Sequence, residues 1–306
     1  MIHLVVNKLH KVSFYYGKKS MKKNILVLGA SGMLGNSIMR YFSEDPDFNV
    51  FGTVRNLNNL QDCTPNFISK LIVGVDADSM DSIVSAFIKS KPDIVVNCIG
   101  LVKQLSLSDD PLTALPINAM LPHRLAALSA VSGARFIHIS TDCVFSGSDG
   151  MYVEADITDA KDLYGISKRL GEVSLKNSVT LRTSIIGHEL AGKKSLVDWF
   201  LSQNDEVNGY SEAIFSGLPT VEIAHIIKTF VIPNVSLTGI YHVSAEPINK
   251  YDLLILVANI YQKNINIVKD NRYKIDRSLD STRFKVKTNY SPPSWPQLIK
   301  NMFEFM

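Results

Sequence analysis

Tyr164-Gly165-Ile166-Ser167-Lys168 sets a phenol and an amine four residues apart. On a helix that spacing puts both side chains on one face. A free phenol, with a pKa of about 10, exchanges its proton reluctantly at pH 7. An ammonium nearby favours phenolate and lowers that pKa, so the pair makes a usable general acid/base. Upstream, Ser140-Thr141-Asp142-Cys143 closes an apolar run, and Thr141 there can donate a hydrogen bond to a substrate carbonyl. By itself a Tyr-x-x-x-Lys spacing is most often a surface tyrosine stacked on a lysine stem. Joined to a strand-end threonine and a nucleotide cradle in the right order, it becomes a candidate active site of Thr141, Tyr164 and Lys168.

The cradle is Gly29-Ala30-Ser31-Gly32-Met33-Leu34-Gly35, directly after Asn24–Leu28, an apolar run of strand type. Gly29 permits the tight turn, Gly32 lets a pyrophosphate approach the backbone, and Gly35 lets the next helix lie close to the strand. The helix start offers free N–H groups and a positive dipole to phosphates. Candidate cofactor contacts are therefore Gly29, Ser31, Gly32, Met33, Leu34 and Gly35. The second strand ends Thr53-Val54-Arg55 with no acid. A carboxylate there would hold the ribose 2′-hydroxyl of NAD, whereas Arg55 can pair with a 2′-phosphate. NADPH is thus the expected cofactor, with NADH the alternative if Arg55 is only a solvated loop charge. Asp76, past the third strand, is placed to reach the adenine amino group.

These residues need a sheet to hold them. Apolar strands at Asn24–Leu28, 49–54, 70–75, 93–99, 136–140 and 179–182 alternate with helical patterns at 33–42, 78–89, 112–132 (interrupted near Pro116 and Pro122) and 163–176. Continuous apolar strands between helices predict an α/β fold, a doubly wound parallel sheet covered on both faces. Ligands then gather at the carboxyl edge. After residue 184 the alternation fades, with helices expected at 196–203, 221–231 and 251–261 and a strand at 239–243. The expected organisation is an extension over 1–20, a Rossmann-like NADP-binding part over 21–184, and a small substrate-binding cap over 185–306 whose segments around 217–245 return to the sheet. Met21 before Lys22-Lys23 reads as the natural start, with a basic arm as the rival reading.

Composition narrows the class. The 306 residues are 46% hydrophobic and 20% charged, ordinary globular usage that argues against disorder. The formal charge of +3 comes largely from Lys8, Lys11, Lys18 and Lys19, leaving the rest near neutral, so no nucleic-acid partner is expected. No apolar run reaches membrane-spanning length, and no membrane partner is expected. Cys63, Cys98 and Cys143 are too few and scattered for a disulfide framework, which fits a cytoplasmic setting. His123, His138, His188, His225 and His242 lack metal-ligand spacing, so no metal is expected. Trp199 and Phe200 either floor a nucleotide base or pack a helix.

The chain resembles the extended short-chain dehydrogenases/reductases, and within them the dTDP-4-dehydrorhamnose reductases, across nearly all of residues 23–303. The resemblance rests on the glycine turn, Asn97-Cys98-Ile99-Gly100, Asn118, Ile139–Phe145, Tyr164–Lys168, Leu181-Arg182-Thr183-Ser184, Gly217-Leu218-Pro219-Thr220 and Gly239–Val243. It implies that Thr141, Tyr164 and Lys168 are a catalytic triad reducing a 4-keto sugar on a nucleotide diphosphate with hydride from NADPH. It adds Asn97, Tyr164 and Lys168 to the cofactor contacts, Lys168 at the nicotinamide ribose, and implies Lys103, Thr183, Ser184 and Arg283 on the substrate side, Arg283 at the diphosphate, beside Trp199 if that ring floors the base. Two departures touch that side. Ile185 stands where the family often has an aromatic residue, and Gly100–Gln104 differs from the usual small-residue run. A UDP-linked N-acetylamino 4-keto sugar is therefore as good an expectation as dTDP-4-dehydrorhamnose. Cys143 replaces the glutamate of the related dehydratases, arguing against dehydration. An epimerase, or an NADP-binding regulatory subunit like that of methionine adenosyltransferase, is the alternative. A homodimer is the assembly held open.

Overall fold

The computed structural model describes residues 22–58, 60, 63–101 and 109–306. The extension over 1–20, Met21 and Lys103 lie outside the described residues.

In chain order the first half is β1 (Lys23–Leu28), α1 (Met33–Ser43), β2 (Phe48–Val54), α2 (Pro65–Ile68), β3 (Leu71–Val73), α3 (Met80–Ser90), β4 (Ile94–Asn97), α4 (Pro111–Ala114), α5 (Leu121–Ser132), β5 (Arg135–Thr141), α6 (Leu163–Leu170) and β6 (Ser178–Thr183). The second half adds β7 (Ile185–Ile186), α7 (Leu196–Ser202), β8 (Val207–Tyr210), β9 (Ala213–Phe215), β10 (Leu218–Pro219), α8 (Thr220–Ile226), β11 (Gly239–His242), β12 (Ile248–Asn249), α9 (Lys250–Ile260), β13 (Ile267–Asp270), β14 (Ile275–Asp276), α10 (Thr282–Thr288) and α11 (Trp295–Glu304).

Seven strands form one sheet in the order β11-β6-β5-β4-β1-β2-β3, with every pair parallel. The continuous apolar strands explain why both faces are covered. Ile25 and Val27 of β1 pack into one core, while Leu26 and Leu28 pack into the other. Ile94 and Val96 of β4 join the first core and Val95 the second. Alternation within an unbroken apolar run thus feeds two helix layers. Chain order reverses on either side of β1, and that switch point opens a crevice at the carboxyl ends of β1 and β4.

Small sheets built from β7 with β10, β8 with β13, and β9 with β12 and β14 make up the remainder. Phe145 stacks on Tyr152 with ring centroids 4.2 Å apart, in a small core shared with Val144 and Leu279. That core joins the loop after β5 to the segment before α10. Among the described residues no helix is long and apolar enough to cross a membrane.

Two helical elements of the first half differ from the sequence expectation. The run 112–132 is helical throughout, but a π-helical stretch, Leu115–Met120, separates α4 from α5. Pro116 and Pro122 lie inside this continuous run, each without an N–H to donate, and the π-helical stretch falls where they interrupt the i→i−4 ladder. The helix expected over 163–176 stops at Leu170. Its end abuts the π-helical stretch so closely that a Cβ on Gly171 would lie 1.9 Å from the Asn118 carbonyl oxygen.

Candidate active site

Gly29 closes β1 with φ +82°, a left-handed conformation that favours glycine. The turn is tied to β2 by two bonds: Gly29 N–H donates to Thr53 Oγ1 at 3.2 Å and Ala30 N–H to Thr53 O at 2.9 Å. A Cβ on Gly35 would sit 2.1 Å from Gly29 O, so α1 can approach the turn only without a side chain there. Gly32 is the N-cap of α1, no side chain caps the helix, and its first turn holds no acid. Its first N–H groups are left for a ligand, and the dipole favours an anion. Ser31 and Gly32 are exposed and Met33 half-buried, whereas the Leu34 side chain belongs to the core. This cradle fits a dinucleotide pyrophosphate.

The outer cofactor candidates fall as follows. Arg55 is exposed at the end of β2. Asp76 is exposed past β3, where its carboxylate accepts from Asp78 N–H at 3.0 Å and fastens the turn into α3. Asn97 is fully buried, a strut under the crevice rather than a side chain facing it. Its Oδ1 accepts from Ile99 N–H at 3.1 Å, and its Nδ2 lies 3.1 Å from His138 Nδ1.

Thr141 ends β5 and opens a short 3-10 turn, Asp142–Val144. Its hydroxyl donates to Asp142 Oδ1 at 3.1 Å and accepts from Cys143 N–H at 3.1 Å. Tyr164 and Lys168 lie on α6, whose start is fixed by Asp162 capping Gly165 N–H at 2.7 Å. Tyr164 reaches the Thr141 hydroxyl. A Cβ on Gly165 would come 2.3 Å from Cys143 O, so the bare helix end lets α6 close onto that turn. Lys168 is buried, and its Nζ donates to Ile139 O at 2.8 Å.

The expected depression of the Tyr164 pKa is corrected by this geometry. Burial pushes the phenol above its ordinary value, and Cys143, Asp142 and Asp162 push the same way against the Thr141 hydroxyl. Lys168 is itself pulled down to about 8 by burial, against the pull of Glu172 and Cys98, and its amine is spent on a backbone carbonyl. The phenol is therefore held protonated.

Two supports went unassigned in the sequence reading. Asn118, in the π-helical stretch, accepts from Leu101 N–H at 2.9 Å and donates to Ser167 Oγ at 3.2 Å, bracing the crevice wall against α6. Its only sequence signal was its place in the family resemblance. Beneath α6, Arg182 grips Glu172 through two bonds of 2.7 and 2.8 Å, and Ser140 Oγ donates to the same carboxylate at 2.8 Å. Arg182 Nη1 also lies 3.2 Å from His242 Nε2, while His242 Nδ1 is 2.9 Å from Tyr152 O. Burial, then Arg182, draws His242 down to about 4, so the neutral ring accepts from Arg182 and donates to Tyr152. Residues far apart in sequence meet here, and no short motif announces them.

On the substrate side, Thr183 pairs in register with Thr141 across β5 and β6, and Ser184 follows it half-buried. Trp199 stands 38% exposed on α7 and is not a core residue. Arg283 is not brought to this edge. Its guanidinium lies over the Tyr241 ring at 4.7 Å, and it lines a pocket with Glu154, Thr238 and Gly239 at the amino end of β11. The reason is register: α10 packs along β11, whose Gly239 end lies opposite the ligand edge. Among the described residues, Arg277 reaches the Thr141 turn and Lys250 acts on it electrostatically. Arg277 Nε donates to Phe145 O at 3.0 Å and Nη1 to Cys143 Sγ at 3.7 Å. Both cations act on Asp142, whose carboxyl burial nevertheless raises. Among the described residues no group of three or more His, Cys, Asp or Glu side chains could hold a metal.

A glycine-turn nucleotide cradle, a parallel sheet switching at β1, and a Thr/Tyr/Lys set at its carboxyl edge define an extended short-chain dehydrogenase/reductase. The family model described as the RmlD substrate binding domain matches residues 21–305, and the chain belongs to that family. It is 32% identical over 230 residues to the spore coat polysaccharide biosynthesis protein SpsK of Bacillus subtilis (strain 168), covering 72% of each chain. It is 24% identical over 303 residues to the dTDP-4-dehydrorhamnose reductase of Aggregatibacter actinomycetemcomitans, covering 91% of this chain and 97% of that one. The structure of dTDP-4-dehydrorhamnose reductase from Bacillus anthracis str. Ames in complex with NADP shares the fold. Its TM-score is 0.76 at 18% identity, covering 94% of this chain and 100% of that one.

Proposed function

We propose that the chain is an NADPH-dependent reductase of a 4-keto group on a nucleotide-diphosphate deoxysugar, acting in the synthesis of surface polysaccharide precursors. The observation that carries this reading is the approach of the Tyr164 phenol to the Thr141 hydroxyl at the carboxyl end of β5, with Lys168 one helical turn along. Family membership and the names of its relatives supply the substrate class.

When bound, the nicotinamide cofactor supplies a hydride to C4 of the sugar. Gly29, Gly32 and the first N–H groups of α1 hold its pyrophosphate, and Arg55 pairs with the 2′-phosphate that distinguishes NADPH from NADH. Tyr164, kept protonated by burial, gives its proton to the oxygen that gains charge at C4. Positioned proton transfer of this kind is worth roughly 10²–10⁴-fold. Thr141 turns its hydroxyl from Asp142 to that oxygen, and Lys168 stabilises the phenolate left behind. Thr183 and Ser184 border the sugar on the β6 side.

The substrate is dTDP-4-dehydrorhamnose or a UDP-linked N-acetylamino 4-keto sugar. Wild-type protein incubated with NADPH and a panel of both kinds will consume NADPH stoichiometrically with at least one, giving a 4-hydroxy product. An epimerase would leave NADPH undiminished, and a regulatory subunit would bind NADP without turnover; either result refutes the reading.

A further inference from the structure

Away from the catalytic edge, the surface between α1, α8 and α11 is hollowed by a cavity of about 670 Å³, within the range of small-molecule sites. Tyr41 of α1 lines it, about 12 Å along the helix from Met33 at the pyrophosphate cradle. Glu222 of α8 also lines it and is 6% exposed. Its Oε1 accepts from the Tyr290 hydroxyl at 3.0 Å, and among the described residues no partner reaches Oε2. Burial, reinforced by Glu222, holds the Tyr290 phenol protonated, so that hydroxyl serves the carboxylate only as a donor.

Five rings make an unbroken chain along the same cavity. Their centroids run from Phe305 to Tyr41 at 6.3 Å, Tyr41 to His225 at 6.2 Å, His225 to Phe230 at 5.8 Å and Phe230 to Tyr290 at 5.3 Å. The Tyr41 hydroxyl lies 3.0 Å from His225 Nδ1, which ties those two rings together. No Lys or Arg is among the described residues that line the cavity. Lys228 and Arg40 lie over the Tyr41 and Phe305 rings, but both are spent on other partners. Lys228 Nζ pairs with Asp45 at 2.8 Å, and Arg40 Nη2 donates to Phe305 O at 2.6 Å.

A carboxylate taken out of water with a single donor is short of compensation. Aromatic faces attract a cation and replace part of its hydration. A carboxylate oxygen without a cation of its own, framed by rings, therefore selects a positive ligand with an apolar body. A hard metal ion wants several oxygen ligands, and among the described residues no group of three or more acidic, His or Cys side chains offers them. We propose that this cavity is a second binding site, for a small organic ammonium ion whose charged end meets Glu222 and whose carbon chain lies against Tyr41, Phe230, Tyr290 and Phe305. The site stands independently of the reductase reading, since it shares no residue with the glycine turn or with Thr141, Tyr164 and Lys168.

Calorimetric titration of the wild-type protein with butylammonium chloride and choline chloride, beside sodium chloride and magnesium chloride, reads the site. Wild type is expected to bind at least one of the two ammonium ions saturably. Glu222→Gln keeps the shape of the side chain and its bond from Tyr290, and should lose about ten- to a hundredfold in affinity, as for a charge-assisted contact. Phe305→Leu should lose about two- to fivefold, as for one cation–π face. Melting curves check that both variants are folded. The inference is overturned if neither ammonium ion binds wild type, if Glu222→Gln binds them equally well, or if magnesium binds more tightly in a Glu222-dependent way. It is overturned too if sedimentation velocity shows a dimer that Glu222→Gln dissociates, because a second copy would then cover the cavity. Consumption of NADPH with 4-keto sugar nucleotides, measured on the same wild-type protein, reports on the reductase reading separately.

Discussion

Tyr164 is a weaker acid in this fold than in water, because a phenolate would be buried beside Cys143 and Asp142. That suits a reductase, which must begin its cycle with the phenol protonated. The difficulty moves to the phenolate left after donation, and Lys168, on the same face of α6, is the charge able to meet it once its hold on Ile139 relaxes. The Tyr-x-x-x-Lys spacing made the pair visible in the sequence, but not the sign of the shift, because burial belongs to the tertiary fold. Arg277 and Lys250 were invisible for a related reason: neither lies in a motif, and only the meeting of the β5 turn with the cap makes them neighbours. At this scale Arg55 carries the cofactor preference. Arg55→Ala will raise the KM for NADPH about tenfold or more and leave that for NADH unchanged, the loss of one charge-assisted contact. Steady-state kinetics with both cofactors measures it, and equal changes would remove Arg55 from the 2′-phosphate.

The elements that aim these side chains are locked together by buried polar contacts. The Glu172 carboxylate joins the segment after α6 to β5 through Ser140 and to β6 through Arg182, and Arg182 reaches β11 through His242. The side chains of Arg182 and Glu172 are 5% and 6% exposed, so removing one charge strands the other away from water. Glu172→Gln is expected to destabilise the fold by roughly 3–5 kcal/mol. Urea unfolding followed by circular dichroism checks this, and a loss under about 1 kcal/mol, typical of an exposed pair, would contradict it. Periodicity made the strands and most helices legible, since apolar runs and capping residues are local signals. The π-helical stretch at Leu115–Met120 was not, because it exists to bring Asn118 against α6, a contact between segments some 50 residues apart.

For the molecule as a whole, β1 at the switch point between two cores was readable from an unbroken apolar strand running into a glycine turn. The cap was less so, since β7, β10, β12 and β14 are two residues long and carry no periodicity. The assembled fold also sets a pH dependence. His242 is buried neutral with its pKa lowered from 6.5 to about 4, and burial also holds His138 well below its ordinary value. The unfolded chain protonates these rings first; the His242 contribution is full above about pH 6.5 and is lost as pH falls toward 4, amounting to about 3 kcal/mol. Asp142, raised by burial, acts with the opposite sign, and Asp270, lowered to about 2, acts below this window. Chemical denaturation at pH 7 and pH 4.5 will therefore show a steep acid loss in wild type and a shallower one in His242→Gln. Parallel losses would mean that His242 is not held neutral.

The most direct test of the account is single-turnover consumption of NADPH by Tyr164→Phe beside wild type, with a 4-keto sugar nucleotide that wild type reduces. The phenol's proton is expected to be worth roughly 10²–10⁴ in rate, so the variant should bind NADPH with unchanged affinity and turn over slower by that factor. A Tyr164→Phe protein that reduces the sugar at the wild-type rate would contradict the assignment of Tyr164 as the proton donor.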